Sequence, residues 1–326
     1  MENIKADIKN RTFKPVYLLC GEEEYLKNSY KNQLFKAVAG DDTMNTLVMD
    51  GKDADCVKVK DFVDTMPFFA DYRTVLLTDT GLFSSTSEEW AKVIASLNDT
   101  SVVIFVENKV DKRNKLYKTV KDKGYVCELN KPDERTLKIW IASLLKKEGK
   151  VIRESACEEL LLRAGDNMEN LKAQIDKIIS YCADRQEVAV DDIAAVCQTQ
   201  PQSEIFKMID AASEGRTDVA IAYYYDMLSL REPSMRILFM IGKQCNQLLC
   251  VRELMAGGMN SSGIATRMGL MPFIVNKLIR QAKAFSSKQL MEYVQMCVKN
   301  EEFVKTGRMD EKIAVETALI KICNRT

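Results

Sequence analysis

The sequence contains no histidine, and this absence excludes several kinds of site at once. Ser-His-Asp and Cys-His catalysis both need an imidazole as the general base. Zinc sites with histidine ligands are excluded for the same reason. We therefore predict no catalytic residue of these types.

The ten cysteines also lack the spacing of a metal or redox motif, since no CxxC pair occurs. The closest pair, Cys245 and Cys250, is separated by four residues and has no second pair nearby. Scattered cysteines among apolar neighbours are typical of reduced thiols in a cytosolic protein. We predict no metal site, no cofactor and a cytoplasmic location.

Long apolar runs and net charge are missing as well. No stretch of about 18 uncharged apolar residues occurs, and the N-terminus has no apolar core of a signal peptide, so we expect neither export nor a membrane partner. Lys plus Arg and Asp plus Glu both number 47, so any basic surface must be local.

A length of 326 residues predicts two or three domains. Five short apolar runs lie in the first 130 residues and alternate with helix-compatible stretches, which predicts an α/β domain with a parallel five-stranded sheet over 1–131. The predicted strands are Val16–Cys20, Thr46–Met49, Thr74–Thr78, Val102–Val106 and Tyr125–Leu129.

Helical periodicity takes over after Pro132. A compact helical domain is predicted over 132–201, with Pro201 near its end. Residues 202–326 carry further apolar helical faces and are predicted to form a third, all-α domain. The fold class is therefore α/β plus all-α.

The turn after the first strand differs from a phosphate-binding loop. It reads Gly21-Glu22-Glu23-Glu24, and Lys27 is not followed by Ser or Thr. Carboxylates favour the first turn of a helix but repel a triphosphate. The third strand run also lacks the paired acidic residues that hold magnesium in an ATPase. We expect no ATP binding here.

Several segments together resemble one family, the delta subunit of the bacterial DNA polymerase III clamp loader. The segments are PVYLLCGEEEYL (15–26), MPFFADYRTVLL (66–77), VIFVENKVDKR (103–113), GDNMENL (165–171), EIF (204–206), KTG (305–307) and AVE (314–316). The resemblance covers essentially the whole chain. It implies an AAA+-type domain without a functional ATP site, a helical lid domain and a C-terminal helical collar that mediates oligomerisation.

Phe68 and Phe69 are the main candidate site residues. They stand beside Pro67 in a connection, where polar residues are usual. From the residues alone, burial beneath the sheet is an equally good interpretation. The resemblance implies instead that Met66, Pro67, Phe68 and Phe69 enter a pocket on the ring-shaped sliding clamp, with the two phenylalanines as anchors.

A basic segment, 109–123, carries seven Lys or Arg against two Asp. A solvated helix face is one interpretation. The other is that Lys112, Arg113 and Lys115 contact DNA phosphates, because DNA passes near the AAA+ domains of a clamp loader.

The resemblance thus implies a replication protein that binds and opens the sliding clamp, the beta subunit, so that it can be loaded on primed DNA. Its other partners would be the tau/gamma and delta-prime subunits. The partners would hydrolyse ATP, and this chain would have no ATP hydrolysis or other catalysis of its own. It would be classed only through its holoenzyme as a DNA-directed DNA polymerase, a nucleotidyltransferase.

The alternatives are an active P-loop-like ATPase or a DNA-binding regulator that uses a helix-turn-helix-like segment at 260–280.

Overall fold

The structure is a computed structural model that describes residues 2–51, 54–85, 87–197 and 201–324. The chain divides into two compact units, Met1–Pro132 and Asp133–Thr326. The two units meet at Pro132 and Asp133, and the three-domain division of the chain, with its further boundary near residue 201, stays a prediction.

The first unit is built on a five-stranded sheet in which every neighbouring pair is parallel. Its strands are β1 (Val16–Cys20), β2 (Thr46–Asp50), β3 (Arg73–Thr78), β4 (Ser101–Glu107) and β5 (Tyr125–Glu128). Their order is β2-β3-β4-β1-β5. The predicted parallel five-stranded sheet is confirmed, and each predicted strand is present.

Helices cover both faces of this sheet. They are α1 (Glu2–Asn10), α2 (Glu24–Ala39), α3 (Cys56–Val63), α4 (Glu88–Ala95) and α5 (Lys115–Lys123). Alternate residues of β1 face opposite sides: Val16 and Leu18 pack with α3, α4 and α5, whereas Tyr17 and Leu19 pack with α1 and α2. Strands buried on both faces read as continuous apolar runs, which is why the sequence revealed them. Helix α1 was not predicted.

The second unit begins with four helices and a small sheet. These elements are α6 (Glu134–Lys147), β6 (Val151–Ile152), α7 (Glu154–Ala164), α8 (Met168–Cys182), β7 (Glu187–Val188) and α9 (Val190–Val196). Strands β6 and β7 pair in parallel, so the segment predicted to be helical also contains two strands. Two residues are too few for a strand to show its alternating pattern.

Within residues 201–324 the structure describes seven helices, and they share one apolar core. They are α10 (Pro201–Ser213), α11 (Thr217–Ser229), α12 (Ser234–Ala256), α13 (Ser261–Met268), α14 (Pro272–Ala282), α15 (Ser287–Lys305) and α16 (Glu311–Asn324). Among the residues described, none of the helices combines the length and the apolar character needed to cross a bilayer.

The direction of the strands separates two groups of loops in the first unit. All five strands are parallel, so the loops that follow β1, β3 and β4 lie at one edge of the sheet. The connection from α3 into β3, residues 64–72, enters at the opposite edge. Ligands of open α/β sheets bind at the carboxyl edge, so the aromatic loop is remote from the position of a nucleotide.

Candidate functional site

The aromatic loop, defined here as residues 64–72, exposes its apolar side chains. Met66 is 71% exposed, Phe68 56% and Phe69 95%, and Pro67 is half-buried. The two phenyl rings contact each other edge to face, with centroids 4.6 Å apart. Burial of the pair beneath the sheet, the interpretation that the residues alone left open, is wrong. Three neighbouring exposed apolar side chains form a surface suited to a partner pocket.

The side chain of Asn45 holds the backbone of this loop. Asn45 is 2% exposed and lies just before β2. Its Oδ1 accepts a hydrogen bond from the Phe68 amide at 2.8 Å, and its Nδ2 donates to the Phe68 carbonyl at 2.9 Å. The same Nδ2 donates to Asp42 Oδ2 at 2.6 Å. Hydrogen bonds from Asn45 and Met44 hold the pKa of the Asp42 carboxyl below its ordinary value.

Arg73, the first residue of β3, makes a second link to the loop. Its guanidinium donates to the carbonyls of Met44 and Met66, at 3.1 Å in each case. It also lies over the Phe62 ring, 4.7 Å from the centroid. Arg73 therefore joins the turn before β2 to the start of the aromatic loop.

At the opposite edge of the sheet, backbone contacts occupy the turn where a phosphate loop would lie. Gly21 has φ 130°, and a Cβ there would meet the Leu129 carbonyl oxygen at 2.3 Å. The Glu23 amide donates to that same carbonyl at 3.0 Å, and the Glu23 carboxylate caps α2 by accepting from the Tyr25 amide at 3.2 Å. The glycine is thus explained by close backbone packing, and the helix N-terminus already carries a carboxylate.

Lys27, the lysine nearest this turn, is buried and engaged by other side chains. Its Nζ pairs with Glu24 Oε1 at 2.8 Å and donates to Asn108 Oδ1. Asn108 in turn donates to Asp79 Oδ1 at 3.0 Å. In a working phosphate loop the lysine is available to the β- and γ-phosphates, whereas here it joins the ends of three elements of the fold.

Glu107 at the end of β4 also serves the fold. It is buried and accepts hydrogen bonds from the Thr80 amide at 2.9 Å, the Gly81 amide at 3.2 Å and Thr80 Oγ1. Burial raises the pKa of its carboxyl, and these hydrogen bonds partly oppose the rise. Glu107 fixes the turn after β3 rather than projecting a free carboxylate.

The basic residues suggested for DNA contact are exposed but paired. Lys112 Nζ lies 2.6 Å from Glu128, Arg113 lies 2.8 Å from Asp111, and Lys115 lies 3.8 Å from Glu88. Exposed ion pairs are weak, so phosphates could compete for these cations. Their DNA contact stays a prediction.

The helix-turn-helix-like segment forms α13 and α14, joined through Gly269 in the left-handed conformation. In the first turn of α14, Phe273 and Val275 are buried and Pro272 is exposed. The Phe273 amide donates to Glu134 Oε2 of α6 at 2.9 Å. A recognition helix must offer these first residues to bases, so the packing argues against the regulator hypothesis.

The cysteines are free thiols, and most of them are packed in the interior rather than placed to bind a metal. All ten are free, and only Cys56 and Cys250 are more than slightly exposed. Burial raises the pKa of Cys20 and Cys297 to about 12. No group of three or more Cys, Asp or Glu within the described ranges is arranged to hold a metal ion.

Sequence reasoning identified the aromatic pair but missed the residues that fix it. Arg73 lies in the segment 66–77, which carries the family resemblance, but the sequence assigned it no role, and it assigned none to Asn45. The one usable signal was Asp42 three residues before Asn45, a spacing typical of a side-chain-stabilised turn. That signal predicts the turn, but it does not reveal a bond to a residue 23 positions away.

Two family models match the chain. The DNA polymerase III delta subunit model matches residues 17–130, and the model of the C-terminal domain of that subunit matches residues 202–322. Together they cover more than two thirds of the sequence. The unmatched segment between them contains the four helices and two short strands that open the second unit.

Two curated proteins and one solved structure agree with these matches. The DNA polymerase III subunit delta of Bacillus subtilis (strain 168) is 23% identical, over 99% of this chain and 97% of that protein. A probable DNA polymerase III subunit delta of Aquifex aeolicus (strain VF5) is 20% identical, over 89% and 86%. The Bacillus subtilis DNA clamp loader delta protein YqeN has the same fold, with a TM-score of 0.69 and 22% identity over 99% of each chain. The chain belongs to the family of DNA polymerase III delta subunits, the delta proteins of the bacterial clamp loader.

Proposed function

We propose that this chain binds the sliding clamp through Phe68 and Phe69, with Met66 and Pro67 beside them, and opens the ring for loading onto primed DNA. The observation that carries the proposal is the exposed aromatic pair on a loop whose backbone is fixed by Asn45. One or two aromatic anchors in a pocket contribute most of the affinity of many interfaces.

Ring opening follows from binding if the chain has higher affinity for the open clamp than for the closed one. A ligand shifts a conformational equilibrium only by its differential affinity for the two states. Ring opening needs no covalent chemistry, and the chain is proposed to act without catalysis of its own. It would be counted with DNA-directed DNA polymerase only as part of the holoenzyme.

ATP hydrolysis is assigned to the partners in this proposal. Glu23 caps the N-terminus of α2 directly after β1, and Lys27 is engaged by Glu24 and Asn108. These contacts support the proposal that this chain binds no nucleotide. The tau/gamma and delta-prime subunits are the proposed partners, and the collar, 202–326, is the proposed assembly domain. The complex would work in the cytoplasm, where Lys112, Arg113 and Lys115 would contact the phosphates of primed DNA.

A clamp-capture and opening assay tests this function. The full chain is mixed with the sliding clamp of the same organism, and binding is followed by size-exclusion chromatography. Opening is followed by energy transfer between dyes on the two sides of a clamp subunit interface. We expect a stable complex and a loss of energy transfer without ATP. Absence of any complex would refute the proposed contact, and binding without opening would refute the opening step.

A further inference from the structure

The conformation of Phe69 is unusual for a side chain so exposed. Its φ is 53°, in the left-handed region that bulky L-residues avoid. The side chain is 95% exposed, so packing within the chain contributes little to holding it there. Strained backbone persists only where surrounding contacts fix it, and such strain concentrates at functional sites.

The contacts that fix this backbone act on Phe68, the residue before Phe69, and they come from Asn45. The Asn45 amide group makes the pair of hydrogen bonds to Phe68 that a neighbouring backbone would make in a sheet, one accepted and one donated. Its second donor hydrogen is taken by Asp42, so the orientation of the amide is fixed. The Asn45 carbonyl accepts from the Thr74 amide at 2.8 Å, which ties the whole assembly to β3.

Arg73 fixes the other side of the pair. Its guanidinium holds the Met66 carbonyl, so Met66 and Phe68 are both anchored, and the ring of Pro67 between them restricts φ. The backbone of the three residues before Phe69 therefore has little conformational freedom. The apolar side chains project outward while the backbone that carries them is bonded inward.

We propose that Asn45 and Arg73 are positioning residues for clamp binding, which fix the aromatic loop in its binding conformation before the clamp arrives. This inference rests on the proposed function and adds the mechanism by which the loop is presented. A loop that is already ordered loses less conformational entropy when it binds, so its affinity is higher. Neither residue needs to contact the clamp.

The test uses the full chain with Asn45→Ala, which removes the bonds to Phe68 and keeps both aromatic rings. We expect clamp binding to weaken by about tenfold or more, because the loop must then be ordered during binding. Asn114→Ala is the matched control, because its amide also holds a loop of the same unit, through the Leu82 and Ser85 carbonyls. Its clamp affinity should stay within about twofold of that of the wild type.

Asn45→Asp supplies a readout that a general loss of stability would not change. A protonated carboxyl can accept from the Phe68 amide and donate its one hydrogen to the Phe68 carbonyl, but it lacks the second hydrogen that the amide gives to Asp42. The carboxylate cannot donate to the Phe68 carbonyl at all. The neighbouring Asp42 carboxylate raises the pKa of the introduced group. Clamp affinity of this variant should therefore increase as the pH falls toward that pKa, and the Asn45→Ala variant should show no such increase.

The outcomes separate the two proposals. Normal clamp affinity in a folded Asn45→Ala variant overturns the positioning role and leaves the proposed function intact. No clamp binding by the wild type overturns both. If Asn45→Ala does not fold, Arg73→Met replaces it, since this change keeps an unbranched side chain and removes the guanidinium that bonds the Met44 and Met66 carbonyls and lies over the Phe62 ring. If both variants unfold, the contacts serve the fold alone and the inference fails.

Discussion

Replacing Phe68 and Phe69 together by alanine is expected to weaken clamp binding by about 40-fold to about 2,000-fold. Full burial of a phenylalanine side chain contributes about 1.5–3 kcal/mol. The side chains expose 56% and 95% of their surface in the free protein, and weighting by these fractions gives about 2–4.5 kcal/mol for the pair. At about 1.4 kcal/mol per tenfold change, this corresponds to a loss of about 40-fold to about 2,000-fold.

The fold should survive the same change. Phe69 makes little contact with the rest of the chain, and the edge-to-face pair contributes about 0.5–1.5 kcal/mol, which is lost with the rings. For a chain of this size we expect the melting temperature to fall by only about 4 °C or less. Clamp affinity and folding stability are therefore separable.

Biolayer interferometry with immobilised clamp measures the affinity, and calorimetric melting measures the stability. Phe239→Ala is the matched control, since Phe239 is another exposed phenylalanine, 61% accessible, on α12. The control should bind the clamp like the wild type. A double variant that folds and binds normally would show that the contact lies elsewhere, and one that unfolds would show that the exposed pair supports the fold after all.

Four further predictions follow from the same geometry. Isothermal calorimetry should detect no saturable ATP binding by the isolated chain with or without magnesium, because the turn after β1 is filled by its own backbone; micromolar binding would contradict this. Gly21→Ala should lower the free energy of unfolding by about 2 kcal/mol or more in urea titrations, because the new Cβ would meet the Leu129 carbonyl; an unchanged midpoint would refute this origin of the glycine. At pH 8 Cys56 and Cys250 should react with a thiol reagent faster than the eight buried cysteines, and mass spectrometry of the labelled protein identifies the sites. Phe239→Glu, on an exposed groove between α12 and α15, should reduce co-purification with the other loader subunits while clamp binding stays normal; unchanged assembly would exclude this groove as a contact.

The elements of the fold were largely predictable because their signals are local. The strand at Val16–Cys20 was predicted with its observed bounds, since an apolar run between turn residues identifies a doubly covered strand. Helix α8 lies within the segment 132–201 that was predicted to be helical; its apolar positions repeat with the helical period and Asn167 caps it. Helix α1 was missed because it buries only Ile4 completely.

The sequence by itself determined the parallel sheet, the helical character of the rest and the presence of an unusual aromatic pair. Tertiary structure alone decided whether Phe68 and Phe69 face the core or solvent, because strand alternation does not extend through a loop. It also decided that the Leu129 backbone packs too closely on Gly21 to leave room for a Cβ, and that Asn45 hydrogen-bonds to Phe68. These contacts join residues far apart in the chain, and no local pattern encodes which distant partner will fold against a given side chain.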